Sequence, residues 1–196
     1  MKTLAATWIS CGVLRAELGE LLSLGRIEGR QTFIESLLHM DPPRLEACLV
    51  SILEELGPEV GPVVLVYGDC CSRMLDFEGA YQLSRVDAVN CAQMLVGRER
   101  YRDLMRERAF MMLPEWAPRW EEIFKTELGL SEDNARSLMG EQRGSLVYLD
   151  TGLAPVPRDA LAACADYTGL PSRVERVALD NLLKLLSEAL APQGRP

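Results

Sequence analysis

The chain has 196 residues, 48% hydrophobic and 26% charged, the proportions of an ordinary soluble globular protein long enough to bury a core without disulfide or metal staples. A net charge of −8 argues against nucleic acid as a partner, because phosphate binding is driven by Lys and Arg. The same acidity opposes binding to anionic membranes, and no apolar run approaches the roughly 20 residues of a spanning helix.

The first segment, MKTLAATWISCGVLRAE, carries one Lys, a short apolar stretch and Cys11, the ingredients of a lipoprotein signal. Its apolar core is short and Trp8 stands where such a signal has Leu. Residues 3–10 are therefore read as a first strand, and a cytoplasmic location is expected. VLRAELGELLSLG follows as a helix. After IESLLHM, Asp41-Pro42-Pro43 marks a break and a helix start, and RLEACLVSILEEL has apolar residues at helical spacing until Gly57-Pro58 stops it. PVVLVYG, residues 62–68, is a continuous β-branched run of the kind buried on both faces of a parallel sheet.

Beyond Cys70-Cys71, LSRVDAVNCAQMLVG gives a short link and then a helix with Cys91 near its start, and YRDLMRERA continues helical. Arg98, Arg100, Arg102, Arg106 and Arg108 alternate with Glu99, Asp103 and Glu107, the pattern of a salt-bridged solvated face. AFMML is a strand stopped by Pro114, and PEWAPRWEEIFKTELGL is a helix with Trp116, Trp120 and Phe124 on a core stripe. SEDNARSLMGEQ is a helix capped by Ser131. SLVYLD is a buried strand, RDALAACADYTGL a helix, SRVERVAL a partial strand and DNLLKLLSEAL the last helix. Strands separated by helices, without hairpin signals, predict an α/β fold: a mostly parallel sheet with helices on both faces, a Rossmann-like three-layer sandwich. One domain over residues 1–190 with a frayed tail at 191–196 is the economical organisation.

Six cysteines in a reducing compartment are unlikely disulfide partners. Cys48 and Cys164 lie inside helical patterns and read as small buried hydrophobes. Cys11, Cys70, Cys71 and Cys91 occupy segment ends. In a parallel sheet, ligands bind beyond the carboxyl ends of the strands. If the strands ending at Cys11 and Cys70 are neighbours, about 4.8 Å apart, their thiols emerge side by side, and Cys91 begins a helix nearby. Such thiols can hold zinc or an iron–sulfur cluster. Adjacent cysteines diverge, so Cys70 is the favoured ligand and Cys71 a second ligand or a packed neighbour. A helix start after the pair is expected to lower its thiol pKa. His39, the single histidine, reads as a surface or cap residue, with a fourth-ligand or proton-carrier role open to it. No CxxC pair, G-x-G-x-x-G or G-x-x-x-x-G-K occurs, and the competing reading is that the cysteines only fill small volumes.

Cys11-Gly12-Val13-Leu14 with Glu17, Leu38-His39 with Pro43 and Leu45, Tyr67-Gly68-Asp69-Cys70, Asn90-Cys91 with Gly97 and Tyr101, Trp116 in LPEW, and Val147-Tyr148-Leu149-Asp150-Thr151-Gly152 resemble the prokaryotic family catalogued as domain of unknown function 1638. The resemblance implies that Cys11, Cys70 and Cys91 are a recurring cysteine set with His39 as companion. It also implies a setting in anaerobic one-carbon metabolism, beside a corrinoid protein or methyltransferase. Many relatives carry His-Asp-Cys where this chain has Val89-Asn90-Cys91, so that Cys71 or His39 would take the missing histidine's place. The leading expectation is a metal or iron–sulfur protein. The alternatives are a metal-free thiol enzyme using Cys70 or Cys71, and an accessory protein of a methyltransferase without chemistry of its own.

Overall fold

The computed structural model describes residues 3–56 and 61–191. The expected stop at Gly57-Pro58 and the tail residues 192–196 lie outside them. The protein is α/β, as expected, and every described strand pair is parallel. The strands form three sheets, and the chain divides into two compact units.

The first unit comprises residues 1–94 and 179–196. Its strands are β1 (Leu4–Ala5), β2 (Thr7–Cys11), β3 (Ile27–Glu28), β4 (Gln31–Ile34), β5 (Val63–Val66) and β6 (Ser84–Arg85). β1 pairs with β3, and the main sheet has the order β4-β2-β5-β6. All five residues of β2 are buried, as are Val64, Leu65 and Val66 of β5, which is why both read as apolar runs. The helices are α1 (Arg15–Ser23), α2 (Pro42–Glu55), α3 (Met74–Tyr81), α4 (Cys91–Val96) and, at the end of the chain, α8 (Asp180–Leu190). Asp41 caps α2, accepting from the Arg44 amide, and Pro42 and Pro43 fill first-turn positions that need no donor. Leu45, Leu49 and Leu53 then bury one face at four-residue spacing. α8 buries Leu182, Leu186 and Ala189 and packs on β1, β5 and β6.

The second unit, residues 95–178, holds α5 (Arg98–Arg106), β7 (Ala109–Met112), α6 (Glu132–Gln142), β8 (Ser145–Asp150), α7 (Arg158–Thr168) and β9 (Ser172–Arg176), with sheet order β7-β8-β9. Ser131 caps α6 through the Asn134 amide, as expected. The arginine-rich face is salt-bridged: Arg100 binds Glu175 at 2.6 Å and Glu107 at 2.7 Å, and Arg106 binds Asp103 at 2.9 Å. The single helix expected from Pro114 is instead a 3₁₀ turn, Ala117–Arg119, followed by a π-helical stretch, Glu122–Glu127. Pro118 sits in the turn's first positions, where its missing N–H costs nothing, and it cannot continue a helix begun at Pro114. Trp120 and Phe124 are core residues, while Trp116 is half-buried.

Candidate functional site

In the first unit the chain runs from β2 to β4 on one side, then crosses to β5 on the other. The order therefore reverses between β2 and β5, and a parallel α/β sheet binds ligands at the carboxyl ends of the two strands flanking such a reversal. Ser10 is paired with Val66 in the β2–β5 register, so Cys11 ends one of these strands and Tyr67-Gly68-Asp69-Cys70 continues the other.

Gly68 explains how a third segment arrives. A Cβ at this position would lie 2.3 Å from the Val89 carbonyl oxygen and 2.6 Å from the Asn90 Cα, so only glycine allows the two backbones to meet. The Asp69 amide donates to the Val89 carbonyl at 2.9 Å and ties them together. Asn90 Oδ1 then accepts from the Gln93 amide at 2.9 Å, and Gln93 Oε1 accepts from the Val89 amide at 3.0 Å, a reciprocal cap that starts α4 at Cys91. Asn181 donates to the Met94 carbonyl at 2.8 Å and closes the far end of this short helix.

Cys11 and Cys91 are both buried, and their side chains are hydrogen-bonded to each other. That bond, then burial, then the charges of Cys11, Cys70 and Glu17 hold the Cys91 thiol well above its ordinary pKa. Cys70 is half-buried and is pushed up to about 11 by burial and by Cys11, against a hydrogen bond from the Gly68 amide. The expected lowering by a helix start is thus outweighed. Cys91 is the first residue of α4 and still rises, because burial and neighbouring sulfurs oppose the anion more than the helix end favours it.

Cys71 faces another way. Its sulfur accepts from the Arg73 and Met74 amides at the start of α3, and burial still leaves its pKa raised. His39 is half-buried in the 3₁₀ turn after β4, with Nδ1 2.6 Å from the Ser36 carbonyl. A proton on Nδ1 makes that contact a hydrogen bond and leaves the lone pair of the neutral ring on Nε2. Among the described residues, no group of three or more His, Cys, Asp and Glu side chains is spaced to hold a metal ion.

The family described as protein of unknown function (DUF1638) matches residues 33–186. The chain belongs to that family. No curated protein and no solved structure matches it. The part matched in the DUF1638 chain includes His39, Cys70, Cys71 and Cys91 and begins after Cys11.

Three residues beside the thiols of this DUF1638 protein are not among the predicted ligands. Glu17, in the first turn of α1, is 1% exposed and its charge opposes ionisation of Cys91. Cys48, on α2, acts on Tyr67 together with Cys11, Cys91 and Cys70. Tyr67 is 1% exposed, and its buried hydroxyl has no hydrogen-bond partner among the described residues. Burial, then the surrounding sulfurs, pushes its pKa far up. A buried hydroxyl left unpaired costs about 1–3 kcal/mol. A carboxylate in an apolar helical pattern and a tyrosine directly after a buried strand were the available signals.

Proposed function

We propose that this edge of the sheet is a thiolate metal site, in which Cys11, Cys70 and Cys91 hold zinc or an iron–sulfur cluster. The observation that carries the reading is the company these sulfurs keep. The charges that bear on Cys70 and Cys91 are those of other cysteines, Asp69 and Glu17, all of which oppose a thiolate. A soft cation supplies the positive charge that would stabilise several thiolates together, and sulfur donors select zinc or iron–sulfur clusters over magnesium or calcium. Thiol donors suit such an ion chemically, and because the ligands must be deprotonated, binding would release protons and would need the sulfurs to move into a spacing the metal-free protein does not have. Such a centre supplies Lewis acidity or electron transfer.

The same upward shifts disfavour the metal-free thiol enzyme, since a cysteine nucleophile needs its pKa lowered. Asp69 is exposed and ion-paired to Arg85 at 2.9 Å, an occupied carboxylate rather than a base for Cys70. The setting we propose is cytoplasmic, in anaerobic one-carbon or corrinoid-linked methyl metabolism, with a corrinoid protein or methyltransferase as partner. The family resemblance alone supports that setting.

Elemental analysis and absorption spectra of protein purified without oxygen test the site. Stoichiometric iron with brown colour, or stoichiometric zinc without colour, is expected. Cys11→Ala and Cys91→Ala should each lose metal at least about tenfold, whereas Cys71→Ala, whose sulfur is engaged at α3, should keep it. Wild-type protein free of both metals after anaerobic handling would refute the reading.

A further inference from the structure

β9 is an edge strand of the second unit's sheet, and among the described residues no strand pairs with its outer side. The bonds at its two ends fix which way its backbone faces. The Leu146 amide donates to the Pro171 carbonyl and the Val177 amide to the Asp150 carbonyl, both at 2.9 Å. In a parallel ladder every second residue faces a given neighbour, so Arg173 and Glu175 also face β8, and Ser172, Val174 and Arg176 turn their amides and carbonyls outward. Those outward residues are all exposed, Val174 by 43%, whereas β7 at the opposite edge is buried or half-buried throughout. Edges are ordinarily blunted by proline, by a bulge or by charges that repel a second strand. β9 instead carries both signs around an apolar, β-branched Val174. Arg173 binds Glu175 at 3.0 Å and also binds Glu107, and Arg100 binds Glu175 at 2.6 Å. This set of two arginines and two glutamates is neutral, in a chain whose net charge is −8.

We infer that β9 is a dimerisation edge, at which two copies of this chain pair antiparallel about a two-fold axis through Val174. In that register Val174 faces Val174 of the second copy, and Ser172 faces Arg176 of the second copy. The outward amides and carbonyls of these residues then exchange hydrogen bonds directly, and the two exposed valines cover each other. Arg173 falls opposite Glu175 of the second copy and Glu175 opposite its Arg173, at the intervening sites where side chains stand closer. An axis through Arg173 or through Glu175 would instead set like charges against each other. The strand is thus complementary to itself in one register, which is what a symmetric interface requires. The pairing involves the second unit alone and stands apart from the metal reading.

Sedimentation of the full chain over a range of concentrations is the test. Wild type should pass from monomer to dimer as concentration rises. Val174→Pro removes the central outward amide at an edge position, where proline leaves the β8 pairing intact. It should weaken the dimer at least about tenfold and leave the far-UV spectrum unchanged. Arg173→Glu and Glu175→Arg test the register without touching the backbone. Each sets like charges opposite one another at both sites, so each alone should weaken the dimer about tenfold. Mixed in equal amounts, the two variants should associate as a heterodimer, because each offers the other opposite charges at both sites. Wild-type protein that stays monomeric at the highest concentration reached would overturn the inference. A dimer indifferent to Val174→Pro would also overturn it, by placing the contact on another surface. A mixture of the two charge variants that associates no better than either alone would overturn the register and the interface built on it.

Discussion

At the carboxyl end of β8, in the second unit, Asp150 accepts from the Gly152 amide at 2.8 Å and from Arg176 at 2.9 Å. Acid, amide and guanidinium come from adjacent segments of that sheet and satisfy one another. At the carboxyl ends of β2 and β5, in the first unit, Cys11 raises the pKa of Cys70 and of Cys91, Cys70 adds to the rise at Cys91, and the Tyr67 hydroxyl has no partner among the described residues. Topology separates the two edges as well. The order β7-β8-β9 follows the chain without reversal, whereas β4-β2-β5-β6 reverses between β2 and β5. Two parallel sheets can thus differ in whether their open edge is chemically complete, and the incomplete edge at the reversal point is the one at which the proposed ligand would bind.

Glycine substitution gives the largest expected effect and the sharpest contrast. Gly68→Ala would drive a methyl group into the backbone of residues 89 and 90, at 2.3 Å from the Val89 carbonyl oxygen. Neither strand end nor helix cap can retreat without losing hydrogen bonds, so a loss of about 3 kcal/mol is expected, together with loss of metal as Cys70 and Cys91 separate. Gly152→Ala also meets a close neighbour, but that neighbour is the tip of the exposed, movable Arg176 side chain. Its positive φ of 72° and a weakened surface ion pair should cost about 1 kcal/mol, with metal retained. Equal losses in denaturant titrations of the two variants would break the comparison.

Asp150→Ala should come next. The carboxylate is nearly buried, with its side chain 12% exposed, and its loss leaves the Gly152 amide unpaired at a turn, for about 1–2 kcal/mol. Arg176→Ala removes the other half of the pair from a side chain 69% exposed and should cost less. Neither change should alter metal content. If Asp150→Ala lowered metal content as strongly as Cys91→Ala, the second edge would belong to the chemistry as well.

The strands that carry the thiols were legible because they are buried on both faces, and Cys11 and Tyr67 end such runs. β4 was not, because Gln31, Thr32 and Phe33 are only half-buried and show no apolar run. The helix start expected after the cysteine pair is α3, but its extent was not legible, because MLDFEGAY is mixed in composition and buries only Met74 and Phe77. The adjacent cysteine pair was separated only by coordinates: Cys70 interacts with Cys11 and bears on Cys91, while the Cys71 sulfur accepts from the amides at the start of α3. Gly68 looked like a turn residue, yet its reason is a backbone twenty-one positions further on, a distance no local pattern reports. The place of Tyr67 beside the cysteines is legible in the sequence, but that its hydroxyl lacks a partner among the described residues is visible only in coordinates.

Alkaline pH should distinguish the two units by a smaller effect. Cys70 titrates at an ordinary value of 9.0 when unfolded and at about 11 when folded. Below pH 9 the thiol is protonated in both states and its contribution to stability is complete. Between pH 9 and 11 the unfolded chain releases a proton that the folded chain still holds, so stability falls as pH rises through that window. Cys164, on α7 of the second unit, is pushed up to about 12 by burial alone, with the same sign. The difference lies in what metal does. A bound thiolate has already given up its proton, so loading should flatten the share of the alkaline slope due to Cys70, and Cys70→Ser should flatten it in the metal-free protein. The share due to Cys164 should persist in both cases. Melting temperatures between pH 8 and 11, with and without metal, measure both shares. A slope indifferent to metal and to Cys70→Ser would show that the thiols of the first unit gain nothing from a cation and are packed like Cys164, as small apolar groups.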